Sequence, residues 1–421
     1  MKRMLAVFLS FMLTFSLSVA MAEEPITLTI IHEHTPTNAE AIASSRMFLE
    51  AEKEFLELHP NITMETSALG SSTELWDKLA VLAASADLPD IIYMNSVLFN
   101  TIAADGMLAD LTGVVEDPSI YRDNLTTFSY EGKVMGLPVK ATTYNYVFYD
   151  PEIWSQAGYE TLPATWDEFL VACDAVRALG YTPVSMGNKT LWNVISNYFE
   201  ALIYECCGQE WVDSIAAKDG QAAFTDACYI EALNWLKKIS AIWNPDFNTA
   251  DDQWAVGEYA KGKAAAHISG TWVPGSIKSF EADYPGISER TRIARIPTIS
   301  GEDPVIVASL PQGLGINAEL EGDKLEAAIE YVKYIAGESY SKHMAEIGEM
   351  GPVIVDIDTS NLLPMQQDMF SIMNAYQNVN QLNALIPAAV ASEQQASISS
   401  FLSGAMSSEE VAASVQAIYE Q

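Results

Sequence analysis

The amino-acid sequence predicts an α/β protein of two domains, each assembled from separate segments of the chain. Three observations carry that prediction. Strand and helix patterns alternate through the N-terminal part, two extended stretches far apart in sequence interrupt the rhythm, and 421 residues with 49% hydrophobic content suffice for two full cores.

Residues 26–31, "ITLTII", alternate and are rich in β-branched side chains, as a strand requires. "NAEAIASSRMFLEAEKEFLELHP" then carries apolar residues at helical spacing and stops at Pro60. "NITMET" reads as a second strand, "TELWDKLAVLAASA" as a second helix and "PDIIYMN" as a third strand. Such alternation argues for a largely parallel sheet with helices on its faces. Residues 128–150, "FSYEGKVMGLPVKATTYNYVFYD", change the pattern to a short hairpin around Gly132 and then an extended, aromatic-rich crossing. In "PATWDEFL", Thr165 stands three residues before Glu168, a capping box that opens the next helix and gives Trp166 a packing role. Helical patterns fill residues 190–243 and the stretch from "LEAAIEYVKYIAG" to the C-terminus. Between them lie "KAAAHISGTWVPG" and a second crossing, "EDPVIVASLPQGLGIN". Residues 264–269 read as a short buried strand, which puts Trp272 just past its end, where open α/β sheets bind ligands.

Charge and the start of the chain narrow the function classes. Lys2 and Arg3, the run "MLAVFLSFMLTFSLSVA" and the pattern Ala20-Met21-Ala22 predict an export signal cleaved after Ala22. The alternative, an N-terminal membrane anchor, fits less well because the apolar run is short for a span. Position 23 is Glu rather than Cys, so the mature chain is expected to lack a lipid-anchoring cysteine. A formal charge of −34 argues against nonspecific binding to nucleic acid or anionic membrane, and its spread at helical spacing reads as a solvated surface. Cys173, Cys206, Cys207 and Cys228 suit one or two disulfides in an exported protein, with Cys228 to Cys206 or Cys207 the first candidate.

Taken in order, "LPDIIYMN", "YEGKVMGLPV" with "YVFYDPEIWSQAGYETLPATWDEF", "FTDACYIEALNWLKKI", "GEYAKGKAAAHISGTW", and "LEAAIEYVKYIAG" with Gly351-Pro352 after it form a recognisable series. The series resembles the extracellular solute-binding proteins of carbohydrate ABC transporters, the family that includes the maltose-binding and glycerol-phosphate-binding proteins. That resemblance implies the two-lobe periplasmic-binding-protein fold, two α/β lobes joined by a hinge of several chain crossings, with a ligand in the cleft and no reaction catalysed. Crossings at Lys140 to Thr143, Pro304 to Ser309 and Ala336 to Glu338 would give one lobe from residues 23–140 and 305–337. Residues 141–304 and 338–421 would form the other. The implied partners are a sugar and the permease subunits of an importer, with the protein itself a monomer outside the cytoplasm and no cofactor. Where relatives have Gly-Lys-Ala-Ala-Met, this chain has Gly262-Lys263-Ala264-Ala265-Ala266, a change of packing only.

A sugar ring has an apolar face and a rim of hydroxyls, so its site needs aromatic faces and fixed polar groups. Trp272 matches the family's cleft tryptophan, and Trp192 lies where relatives place another stacking aromatic. Trp254 is a third candidate that its helix could equally bury. For the rim, His32 and Glu33 follow the first strand, Ser72 and Thr73 precede the second helix, Asn95 ends the third strand, and Thr143 and Tyr144 adjoin the first crossing. Other cargoes on the same fold are a polyol phosphate, a peptide or a metal. A phosphate calls for Arg or Lys, and the sequence offers only Lys140 near a crossing. A metal would draw on "IHEHT", yet on an extended chain His32 and His34 point one way and Glu33 the other, with no third histidine near. An enzyme such as a glycosidase could use paired carboxylates, but the chain has no Gly-x-Ser-x-Gly elbow, no His-Glu-x-x-His and no phosphate loop.

Overall fold

The computed structural model describes residues 24–121, 125–347, 349, 351–355 and 358–421. The export signal read over residues 1–22 lies outside them. In chain order the strands are β1 (Ile26–His32), β2 (Ile62–Ala68), β3 (Ile91–Met94), β4 (Ser129–Tyr130), β5 (Lys133–Val134), β6 (Leu137–Thr143), β7 (Tyr146–Tyr149), β8 (Thr182–Ser185), β9 (Ala264–Ser269), β10 (Arg292–Arg295), β11 (Ile306–Ile316) and β12 (Asn378–Asn380).

Two sheets organise them. The first runs β12-β11-β3-β1-β2, with β6 also paired to β11. The β2-β1-β3 part is parallel, as the strand and helix alternation predicts, whereas β11 runs antiparallel to both β3 and β6. That departure has a topological cause: β6 carries the chain out of this sheet and β11 brings it back, so the two run in opposite senses. The second sheet, β10-β7-β9-β8, has antiparallel pairs except β8 with β9. Its strand β9 covers residues 264–269 and is buried throughout, in keeping with a sequence of small and apolar residues broken by His267 and Ser269.

Each sheet has its own core. Leu28, Ile30, Phe48, Ile92, Phe99 and Leu314 lie in that of the first sheet, which also takes in Tyr340, Met344 and Val353, beyond the boundary drawn at residue 337 from sequence. Helix Glu338–Glu346 packs on helix Ala43–Leu58, so its apolar face is spent there. The second sheet is flanked by a large core built around Trp154, Trp166, Tyr198, Tyr229 and Trp243, and a smaller one around Tyr146, Phe148, Tyr259 and Met369. Thr165 caps its helix by accepting from Glu168 N at 3.3 Å, and Trp166 is buried.

Cys207 and Cys228 form a disulfide between helices Glu200–Ala217 and Ala227–Ile239, leaving Cys206 half-buried and free. Closing a chain segment of 21 residues restricts the unfolded ensemble. Replacing Cys207 and Cys228 by Ser is expected to lower the unfolding free energy in urea by about 3 kcal/mol. Cys206→Ser should cost far less; an equal loss would reassign the bridge to Cys206.

Candidate functional site

A cavity of about 740 Å³ lies between the two sheets. It takes its walls from both, together with the crossing strands. One wall is aromatic. Tyr144, Trp192 and Trp272 meet edge to face or tilted, with Trp272 5.5 Å from each of the other two rings, centroid to centroid. Such packing fixes the rings while leaving faces free for contact.

Local structure explains why Trp272 follows a glycine. The indole folds back over Gly270 so closely that a Cβ there would stand 1.9 Å from Cζ3 of the ring. Thr271 ties this turn to the first crossing: its N–H donates to Thr143 O at 3.0 Å and its hydroxyl accepts from Thr143 N at 3.3 Å. The indole Nε1–H donates to Asp252 Oδ2 at 3.1 Å, so the nitrogen is turned inward and the carbon framework is left to the cavity.

The opposite wall is polar. Glu33 and His34 follow β1, Ser44 and Ser45 start helix Ala43–Leu58, Lys140 comes from β6 and Gln312 from β11. Asn38 binds two loops together by donating to Glu33 O and Gly70 O at 3.0 and 3.1 Å. His34 stacks on Phe48, and its Nδ1 lies 3.0 Å from Ser45 Oγ. Burial, the neighbouring His32 and the Lys140 charge all hold its pKa well below the usual range, so it is neutral at pH 7. Lys140 donates to Ser44 Oγ at 3.0 Å and pairs with Glu349 at 3.3 Å. The Glu349 side chain is 3% exposed, and Oε2 is the oxygen that faces the Lys140 ammonium.

Of the residues named in the sequence as sugar contacts, Glu33, Tyr144, Trp192 and Trp272 line this cavity, as do Lys140 and His34 from the phosphate and metal readings. The others fall elsewhere or are undescribed. His32 is in the first core at 0% exposure, its Nδ1 accepting from His34 N, and burial lowers its pKa to about 4. Asn95 caps helix Ser96–Ala104 by accepting from Leu98 N. Thr143 is buried against the Tyr146 hydroxyl, and Trp254 stands at the surface while its neighbour Gln253 reaches the cavity. The side chains of Ser72 and Thr73 lie outside the described residues. Sequence reasoning missed Ser44, Ser45, Gln312, Gln253 and Glu349, which carry no local motif and meet only because the chain crosses between sheets. Among the described residues no group of three or more His, Cys, Asp or Glu is placed to hold a metal ion.

Two sheets with separate cores, joined by crossing strands over a cavity, define a two-lobed binding protein. The chain belongs to the family described as bacterial extracellular solute-binding protein, whose model matches residues 50–370. A Mesorhizobium japonicum protein named "Probable sugar-binding periplasmic protein" is 25% identical over 47% of this chain and 48% of its own length. The chain thus spans about half the length of the curated relatives it matches. Among solved structures, a protein titled "Chitin oligosaccharide binding protein" superposes with a TM-score of 0.83 at 18% identity, covering 94% of this chain and 98% of that one. A maltose-bound protein of T. maritima gives 0.77 at 16% identity over 94% and 99%. These likenesses are of fold.

Gly270→Ala is expected to push Trp272 off its seat, costing about 2 kcal/mol as an overpacked site. Near-ultraviolet circular dichroism should lose intensity with it, because the three-ring wall comes apart. An unchanged spectrum in a folded variant would show that the ring does not lie on Gly270.

Proposed function

We propose that the protein is the exported substrate-binding component of a carbohydrate ABC importer, which captures a mono- or oligosaccharide between its lobes and hands it to the membrane permease. The observation that carries this reading is the cavity itself, with one wall of three aromatic rings and the other of fixed polar groups. Sugar rings present those same two surfaces, an apolar face and a hydroxyl rim. Support also comes from the relatives, since one is named for sugar binding and the titles of two structural neighbours mention a chitin oligosaccharide and maltose.

In this reading the lobes are residues 23–140 with 305–337 and residues 141–304 with 338–421, except that helix Glu338–Glu346 and Val353 go with the first core, and the lobes close about the crossings when the closed form binds the sugar better. The protein acts as a monomer, without cofactor and without catalysis, outside the cytoplasm. Among the described residues no helix is long and apolar enough to cross a membrane. A neutral cargo is favoured over a polyol phosphate, because Lys140 is already paired with Glu349 and a phosphate would have to compete for it.

A thermal-shift screen of residues 23–421 against maltose, xylobiose, chitobiose and galactose tests the assignment, with glycerol 3-phosphate and divalent metals as contrasting probes. At a hundredfold excess over Kd a ligand adds about 2.7 kcal/mol, enough to raise Tm by several degrees. A rise with one sugar series is expected. A rise with the phosphate or a metal alone would overturn the sugar assignment.

For the sugar that gives the rise, Trp272→Ala should weaken binding by about 1 kcal/mol or more, read by calorimetry. Undiminished affinity in the folded variant would remove Trp272 from the site.

A further inference from the structure

Behind Trp272 two buried polar atoms face each other without hydrogen-bond partners. Asp252, the first residue of helix Asp252–Ala260, uses Oδ2 to accept from the Trp272 indole. Its other oxygen, Oδ1, lies 3.7 Å from Nε2 of His267 on β9, and neither atom has a hydrogen-bond partner. The tautomer of His267 follows from its far side, where Nδ1 lies 3.1 Å from the carbonyl oxygen of Ser185. A carbonyl only accepts, so Nδ1 carries the hydrogen, and in a neutral imidazole Nε2 is then a bare lone pair. A carboxylate facing a bare ring nitrogen in a buried site is a conflict of two acceptors, and such a pair is costly unless something donates between them.

We propose that the pair carries one proton, on Asp252 Oδ1 or on His267 Nε2, and that Asp252, so protonated or so paired, is the positioning residue that sets the Trp272 wall. This inference rests on the reading of Trp272 as a ligand-stacking ring. The carboxylate then does two jobs with two oxygens: one anchors the indole, the other shares the proton. Burial acts on the two groups in the matching senses, pushing the Asp252 carboxyl up and the His267 imidazole down, so that each disfavours carrying a charge alone. The other groups around the pair are few. Asp251, the helix N-cap, is the further carboxylate acting on Asp252, Asn193 approaches it as a neutral donor, and Ser185 is the contact from β8.

The functional consequence has a definite sign. Below the pH at which the proton leaves, the pair is satisfied and the indole is held. Above it, a buried carboxylate faces a lone pair, and relief requires water to enter or the group to move, which unseats Trp272. Affinity for sugar should therefore fall as pH rises through that titration.

Nitrogen-15 NMR of the ligand-free protein between pH 5 and 9 reads the pair directly. We expect the His267 Nε2 signal to depart from that of a bare imidazole nitrogen at neutral pH, and the Trp272 Nε1–H signal to move with it at the same midpoint. In Asp252→Asn the amide can donate to Nε2 and accept from the indole permanently, so the folded variant should lose this coupled titration. Binding of the panel sugars by Asp252→Asn should become flat with pH, whereas Asp252→Ala should weaken it by about tenfold, the scale of a lost aromatic contact. A bare Nε2 throughout, an indole signal indifferent to His267, or an unaltered pH response in Asp252→Asn would each overturn the proposal. If no panel sugar binds the wild-type protein, the sugar reading fails while the NMR result still decides the shared proton; if a sugar binds and the coupled titration is absent, only the proton fails.

Discussion

The arrangement depends on one side chain at the place where the chain leaves the first sheet. Asn145 is fully buried, has a φ of 76° and stands between β6 and β7. Its Oδ1 accepts from Val307 N on the returning strand, and its Nδ2 donates to Ser196 O and Asn197 O. Tyr144 N meanwhile donates to Val307 O. Asparagine tolerates the left-handed backbone better than most residues and brings both a donor and an acceptor to a spot where no ladder can supply them. Tyr144, which precedes it, is thereby aimed into the cavity, and the Thr143 to Thr271 bonds hang the Trp272 turn from the same crossing. Loss of Asn145 would take the acceptor from the buried Val307 N–H of β11 and the donor from the helical carbonyls of Ser196 and Asn197 at once.

The two walls of the cavity are held in different ways. The aromatic wall is stiff because each ring rests on another and the indole nitrogen is used up behind it. The polar wall sets the charge of Lys140 against that of Glu349, keeps His34 neutral by burial and carries Glu33 besides. A chain with a formal charge of −34 thus presents a cavity whose lining is much closer to electrical balance than its surface.

How much of this could be read beforehand follows from what makes a signal local. β1, β3 and β9 were legible because alternation or continuous burial is written in consecutive residues, and Trp272 was legible as a cavity residue because a bulky ring just past the end of a buried strand has few uses; its contact with Gly270 was not. Asn95 went to the cap of its helix, a role its position after a strand and before "SVLF" already allowed. His32 and Glu33 could not be sorted by alternation, since the strand ends at His32 and the chain bends, putting the neighbouring His34 on the cavity wall. Cys206 and Cys207 are adjacent, so only the phase of their helix decides which meets Cys228. Glu349 and Gln312 were invisible because what makes them lining residues is the return of the chain, not their neighbours.

The place of β11 in the first sheet also bears on the order in which the chain can become native. It pairs with β3 through residues 313–316 and with β6 through 308–314, so β6 has no partner in that sheet until the ribosome has passed Ile316. A domain that folds as synthesis proceeds needs its strands contiguous. Here the N-terminal half, although its first two strands are joined by helices close in sequence, cannot reach its final form while it is being made. The molecule must stay unfinished for most of its translation, the condition under which an unfolded chain can still be threaded through a narrow pore.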